Sequence, residues 1–277
     1  MKNQYKLGNL NLNSRVFLAP MVGINDIAFR ILCKQAGAGL VFSGMTHPLT
    51  KEKLDLWDKP ILQIMCSETR GLKEFILKYN EQVSGFDLNL GCPADVAEKC
   101  GFGSFLISDL KKIREILSII KENTDKVLTI KIRKSPYALK IARIAEKYCD
   151  SLIIHPRTQK QGYSGLADTK FAENIKKKIR IPVIYSGDVD SKNYLELLKT
   201  FDFVMIGRKA IGNPGIFSFG KKSFNFFDYL KLAKKHNLKF KQIKLQALFF
   251  IKDIKDAKKL RLEIAQTKKL EDLERLI

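Results

Sequence analysis

The sequence predicts an α/β protein built as a (β/α)8 TIM barrel followed by a small C-terminal helical domain. Three observations point there. Eight short apolar runs alternate with helical patterns over the first 210 or so residues. The runs are rich in Ile, Val, Leu and Phe without clean alternation, as strands covered on both faces should be. Chemistry-bearing residues recur where the runs end, and a barrel of this kind places its ligand groups at the C-terminal ends of its strands. An open doubly wound sheet is the alternative arrangement of the same elements.

The expected strands, in order, are Val16–Ala19, Leu40–Ser43, Ile61–Met65, Phe86–Leu90, Val127–Ile132, Ser151–His155, Val183–Ser186 and Phe203–Ile206. Each is four to six residues long, within the usual strand length. The expected helices are Asp26–Ala36, Glu68–Tyr79, Leu110–Glu122, Tyr137–Tyr148, Thr169–Lys177 and Ser191–Thr200. Several open on capping residues, such as Ser108-Asp109 and Asp190-Ser191. The connection between the second and third strands, around Thr50–Leu56, has no well-defined helical pattern. Gly212-Asn213-Pro214-Gly215 is a breaker, and the pattern changes beyond it. Phe226, Tyr229, Leu230 and Ala233 then share one helical face, and Ile243, Ala247, Phe250, Ile251 and Ile254 another. Three helices in a small bundle are expected. The division is residues 1–218 for the barrel and 219–277 for a basic helical domain.

Composition narrows the function classes. Five cysteines at positions 33, 66, 92, 100 and 149 form no C-x-x-C pair and no zinc or iron–sulfur spacing. Reduced thiols in a cytoplasmic protein are therefore expected. The first residues lack an apolar signal core, and no apolar run is long enough to span a membrane. Nothing in the sequence points to an obligate protein partner. The formal net charge of +21 favours a polyanionic partner. Residues 219–277 hold 14 Lys and 2 Arg against 7 acidic residues, a balance of +9. The helical segment is thus the more basic part per residue, as an RNA-docking module would be.

Read in order, the strand ends carry Pro20-Met21, Gln63, Asn89 and Cys92, Lys131 and Arg133, His155-Pro156-Arg157, Ser186-Gly187-Asp188, and Gly207-Arg208. Asn89-Leu90-Gly91-Cys92-Pro93 delivers a thiol to the loop after a strand, where it can serve as nucleophile or proton donor; a buried structural cysteine is the simpler reading. Gly187, Gly207 and Arg208, after the last two strands, suit a phosphate. Lys131 lies inside an apolar strand and needs an anionic partner or a lowered pKa. Gln63, flanked by Leu62 and Ile64, needs hydrogen-bond partners of its own. Together Gln63, Lys131 and a phosphate site describe the polar demands of a flavin mononucleotide.

These motifs resemble the tRNA-dihydrouridine synthase family. The resemblance rests on Ala19-Pro20-Met21-Val22-Gly23 with Asp26 and Phe29-Arg30, on Asn89–Pro93, on Gly101-Phe102-Gly103-Ser104 with Leu106, on Lys131-Ile132-Arg133, on His155-Pro156-Arg157-Thr158, on Tyr163-Ser164-Gly165 with Ala167-Asp168, on Gly187-Asp188-Val189 and on Gly207-Arg208. It spans residues 16–215. Two positions depart: Ser186 stands where the family commonly has Asn, and Thr169 where Trp is usual. The resemblance implies FMN bound by Pro20, Met21, Gln63, Asn89, Lys131, His155, Ser186, Gly187, Asp188, Gly207 and Arg208. It implies Asn89 facing both flavin and target uracil, Cys92 as general acid, and Arg157 and Tyr163 helping to hold the tRNA. NADPH or NADH would reduce the flavin, whose hydride would pass to uracil C6 while Cys92 protonates C5. Two other readings remain at this point: a flavin barrel acting on a free pyrimidine, similar to dihydroorotate dehydrogenase, and an RNA-binding barrel without catalysis.

Overall fold

A computed structural model describes residues 4–252 and 257–276. The chain opens with an antiparallel hairpin, β1 (Tyr5–Leu7) and β2 (Leu10–Leu12), which the sequence reading did not anticipate. Then follow β3 (Val16–Leu18), α1 (Ile27–Ala36), β4 (Ile61–Ile64), α2 (Leu72–Tyr79), β5 (Gly85–Leu90), α3 (Asp95–Cys100), α4 (Leu110–Glu122), β6 (Val127–Arg133), α5 (Ala138–Tyr148), β7 (Ser151–His155), α6 (Thr169–Lys176), β8 (Val183–Tyr185), α7 (Tyr194–Thr200) and β9 (Phe203–Ile206). Seven of these strands form one parallel sheet in the order β3-β9-β8-β7-β6-β5-β4.

The second expected strand, Leu40–Ser43, closes the ring but is not a regular strand. Its backbone makes parallel bridges to both neighbours, Leu18 to Val41 and Phe42 to Ile61. Leu18 N–H donates to Leu40 O at 2.9 Å, and Ser43 N–H to Ile61 O at 2.9 Å. The Ser43 hydroxyl, not a backbone carbonyl, accepts from Gln63 N–H at 3.0 Å. That substitution interrupts the ladder, which resumes at Thr46 with a bridge to Ile64. The segment around Thr50–Leu56 has no helix.

Strand parity sorts the residues. Outward side chains such as Leu88, Leu128, Ile130, Ile154 and Val204 join the core beneath the helices. Inward ones such as Phe17, Ile61, Val127, Ile153, Ile184 and Phe203 make a second core inside the ring. Leu7 and Leu12 of the hairpin belong to this inner core and close it at one end. Because side chains alternate with period two, the same inward face carries Gln63, Asn89, Lys131 and His155 further along the strands.

Beyond the barrel lie α8 (Phe226–Lys235), α9 (Phe240–Phe250), α10 (Ala257–Gln266) and α11 (Leu270–Glu274). Among the described residues this makes four helices rather than three; Ile254 lies outside the described residues. Asp26 ties these helices to the barrel. Its Oδ1 caps α1 by accepting from Phe29 N–H at 3.0 Å. Its Oδ2 accepts from Tyr229 Oη at 3.2 Å, Gln242 Nε2 at 2.8 Å and Gln246 Nε2 at 2.9 Å. Arg30, one turn into α1, pairs with buried Asp58 at 2.6 Å and donates to Asn25 O and Asp55 O. The Asp26 and Arg30 positions of the first motif are thus joints of the fold. Among the described residues, no helix is long and apolar enough to cross a membrane.

Candidate active site

The C-terminal ends of the barrel strands surround a cavity of about 1000 Å3, a size suited to a cofactor with part of a substrate. Every site residue expected from the sequence lines it: Pro20, Met21, Gln63, Asn89, Cys92, Lys131, His155, Arg157, Tyr163, Ser186, Gly187, Asp188, Gly207 and Arg208. Strand register explains part of this convergence. Asn89 of β5 pairs directly with Lys131 of β6, and Arg133 with His155 of β7.

A directed chain of hydrogen bonds runs along the cavity wall to Cys92. The fully buried Asp87 accepts from Gln63 Nε2 at 2.6 Å and from Thr129 Oγ1 at 2.6 Å. Gln63 Oε1 accepts from Asn89 Nδ2 at 3.0 Å. Asn89 Oδ1 accepts from Gly91 N–H at 3.1 Å and from Cys92 N–H at 2.9 Å. Gln63 and Asn89 are therefore fixed by the protein itself, and Asn89 sets the shape of the thiol loop. Burial pushes the Asp87 carboxyl up to about 6 against the pull of Gln63, Thr129 and Lys131. Sequence reasoning missed Asp87; its signal was an acid within the apolar run Gly85–Leu90, two residues from Asn89 and so on the same face.

The Cys92 loop is held from the other side as well. Cys92 O accepts from Ser104 N–H at 3.1 Å and Ser104 Oγ at 2.8 Å. Gly103 has φ +64°, and a Cβ there would stand 2.8 Å from Cys92 O. The Gly103-Ser104 pair of the motif therefore exists to let one backbone press against another. Arg133, to which the sequence reading gave no role, donates to Gly91 O at 2.6 Å and Gly162 O at 2.7 Å. It fastens the thiol loop to the loop after β7.

Cations dominate the rest of the wall. Lys131 is the one residue of β6 that is not fully buried, because its side chain meets the cavity. Among the described residues it has no hydrogen-bond or ion-pair partner. Burial, then Arg133, lowers its pKa to about 8. His155 is driven down to about 2 by burial and by Lys131, Arg133, Arg157 and Arg208, so its ring is neutral at physiological pH. Arg157 is only 2% exposed. Its guanidinium donates to Ser164 O at 3.2 Å, Gly165 O at 2.5 Å and Asp188 Oδ2 at 2.5 Å. Tyr163, on the loop that Arg157 anchors, is 60% exposed. The guanidinium carbons of Arg133 and Arg208 lie 5.5 and 5.0 Å from its ring centroid.

Asp188 bridges Arg157 and Arg208, the latter at 2.9 Å, and adopts φ +50°, a left-handed conformation unusual outside glycine. Burial opposes its ionisation, but the Arg157 hydrogen bond and the two guanidinium charges prevail and hold its carboxyl below the usual value. Gly187 is required for packing, since a Cβ would stand 2.8 Å from Ala167 Cβ; Gly207 has ordinary room. Among the described residues, the backbone N–H groups of Gly187, Gly207 and Arg208 donate to no protein acceptor. Ser186 donates its N–H to Ile154 O at 2.9 Å.

The sequence model of the dihydrouridine synthase family, Dus, matches residues 17–274. The chain belongs to the dihydrouridine synthase family. A probable tRNA-dihydrouridine synthase of Rickettsia bellii is 34% identical over 236 residues, covering 77% of this chain and 72% of that one. The tRNA-dihydrouridine synthase B of Xanthomonas campestris is 37% identical over 235 residues, covering 76% and 70%. In fold, the chain is similar to morphinone reductase in complex with tetrahydroNAD, with a TM-score of 0.57 over 80% of this chain and 91% of that one. At 13% identity that likeness concerns the fold alone. The Dus match includes the C-terminal helices as well as the barrel, although those helices carried no recognisable motif.

Proposed function

We propose that this chain reduces the C5–C6 double bond of uridines in tRNA to dihydrouridine, with FMN in the barrel cavity, NADPH or NADH as reductant and Cys92 as proton donor. The observation that carries the reading is the placement of the Cys92 loop. Asn89 holds it at the rim of a cavity whose wall also presents Gln63 and Lys131.

The cavity's own groups fit FMN. Lys131 offers a cation with no protein partner. Unengaged N–H groups at Gly187, Gly207 and Arg208, beside the Arg208 guanidinium, form a cradle for a phosphate. Neutral His155 can donate a hydrogen bond there without the cost of a buried charge. Pro20 and Met21 supply apolar wall, with Ser186 and Asp188 beside the phosphate cradle. When bound, FMN supplies the hydride that reaches uracil C6.

The chain's residues do the rest. Asn89 keeps one amide N–H for the cavity, its other going to Gln63 Oε1, while its Oδ1 keeps the loop in place. The Cys92 thiol gives its proton to C5 as the C5–C6 bond is saturated, and the resulting thiolate regains a proton from solvent. Tyr163, backed by Arg133 and Arg208, offers an aromatic face and two cations to an unstacked nucleotide. Arg157 acts on the RNA through the loop it anchors. A flipped base must be held out of its stack, and the +21 charge, densest over residues 219–277, supplies phosphate contacts. On this reading residues 219–277 serve as the tRNA-docking domain.

Cys92→Ala tests the assignment. It is expected to keep the flavin absorption of the wild-type protein and to lose about 10²–10⁴-fold in dihydrouridine formation, the usual contribution of a general acid. Wild-type turnover by this variant on unmodified tRNA transcript would remove Cys92 from the chemistry.

A further inference from the structure

Trp57 is the chain's only tryptophan. It stands in the loop entering β4, does not line the barrel cavity, and is 70% exposed. Its backbone is not loose. Leu56 and Asp58 on either side are buried, and Asp58 carries the Arg30 pair. The ring is thus presented to solvent from a rigid base.

A lysine and a histidine flank it. Lys235 Nζ lies 5.5 Å from the ring centroid, and the His236 ring 5.8 Å away. His236 Nδ1 meets Asp55 Oδ2 at 3.1 Å, joining the loop to the end of α8 and occupying Asp55. Lys231 and Phe227 precede Lys235 by four and eight residues, so all three share one face of α8 over about 12 Å. Lys231 is exposed, and Phe227 is 51% exposed. The result is a strip with an aromatic ring at each end and ammonium groups between them.

An apolar protein partner would leave those ammonium groups desolvated and unpaired. Single-stranded nucleic acid satisfies both components, since bases stack on aromatic rings while phosphates meet lysines. We propose that Trp57 and the Phe227–Lys231–Lys235 face of α8 form a docking strip for unpaired nucleotides of tRNA, separate from the catalytic cavity. The proposal rests on the reading of tRNA as the substrate. It adds a second point of contact that fixes which part of the molecule reaches Cys92.

Because Trp57 is the sole tryptophan, its emission reports on this strip alone. Titrating the flavin-loaded protein with unmodified tRNA transcript is expected to change that emission, with a salt-dependent midpoint equal to the binding midpoint from fluorescently labelled tRNA. Trp57→Ala is expected to weaken tRNA binding by roughly tenfold, as for one lost base–aromatic stack, and to raise KM with kcat and flavin content unchanged. Trp57→Phe should recover part of the affinity, and Lys231→Ala should weaken binding less than Trp57→Ala. Labelled tRNA that binds with no change in Trp57 emission and with equal affinity for Trp57→Ala would overturn the strip and leave tRNA as substrate. A response to polyglutamate and not to tRNA would overturn it in favour of an acidic protein partner. Wild-type protein that binds no tRNA at all would overturn the underlying reading as well.

Discussion

Gln63 donates its side-chain amide to the Asp87 carboxylate at 2.6 Å, and this bond sets the direction of every hydrogen bond from there to Cys92. A carboxylate only accepts. Gln63 must therefore turn its NH2 to Asp87 and its oxygen to Asn89. Asn89 must then give its NH2 to Gln63 and keep its oxygen for the N–H groups of Gly91 and Cys92. One buried charge orients two amides and ends on the thiol loop.

Asp87→Asn removes that polarity with little change in shape. An amide can face Gln63 with either end, so the chain can run in either sense. Losing a hydrogen bond to a charged group costs about 1.5–3 kcal/mol, and turnover is expected to fall roughly 10- to 100-fold. Alkylation of Cys92, followed in a Cys100→Ser background because Cys100 is exposed, should change rate in the variant. An unaltered alkylation rate and turnover would show that the amides hold their orientation without Asp87. The wild-type protein should show the same change as pH falls through about 6, where Asp87 takes up its proton.

The Lys131 charge gives a second pH limb. Its pKa is lowered to about 8 by burial and Arg133, so without a bound anion the ammonium is lost as pH rises past that value. A bound anion raises the pKa again. Flavin affinity is therefore expected to fall at alkaline pH with a limb at or above 8, and Lys131→Met should bind flavin more weakly without that limb. The unfolded chain holds the Lys131 proton between about 8 and 10.5 and the folded chain does not, so Lys131's contribution to stability rises with pH in that window. Flavin titrations and thermal melts across that range check both statements.

Gly103→Ala should damage the site without touching the cavity. The new Cβ would stand 2.8 Å from Cys92 O in a left-handed backbone conformation. Strain of this kind costs about 1–3 kcal/mol. A lower Tm together with faster Cys92 alkylation is expected, since the loop would be displaced; a normal melt would show that the two backbones can separate cheaply.

Asp58→Ala tests the joint at α1. It strands the Arg30 guanidinium, whose side chain is 5% exposed. Removing one partner of such a buried pair costs about 3–5 kcal/mol. A large drop in Tm is expected, with loss of Trp57's fixed environment visible in its emission. A melt within a degree or two of wild type would mean that Arg30 finds other partners.

Affinity for tRNA should fall steeply with salt, because neutralising phosphates releases counterions. Binding that is flat between low and physiological ionic strength would remove the electrostatic role assigned to the +21 charge.

Much of this protein was legible in the chain because a buried parallel barrel imposes local rules. Seven of eight expected strands formed at or near their expected positions, since continuous apolar runs have no other way to be buried. The inward residues Gln63 and Lys131 were found because a polar group inside such a run needs a reason, and Asn89 and His155 because they stand at strand ends within motifs that resemble the family's. Leu40–Ser43 was readable as a stave but not as an irregular one, because its interruption depends on the Ser43 hydroxyl meeting the Gln63 N–H across the sheet. The hairpin at residues 5–12 was missed because its apolar residues gain burial only once the ring exists to be plugged.

What the sequence determined by itself was the order of the barrel strands, their parity and the identity of the groups at the cavity, since these follow from local periodicity and chemical type. Tertiary structure alone decided the pairings: Asp87 with Gln63, Ser104 with Cys92, Arg157 with Asp188, Asp26 with Gln242 and Gln246. Such bonds join residues 12 to 220 positions apart. Their existence depends on distances that no local pattern encodes, because a hydrogen bond or ion pair forms only when folding brings both partners within about 3 Å.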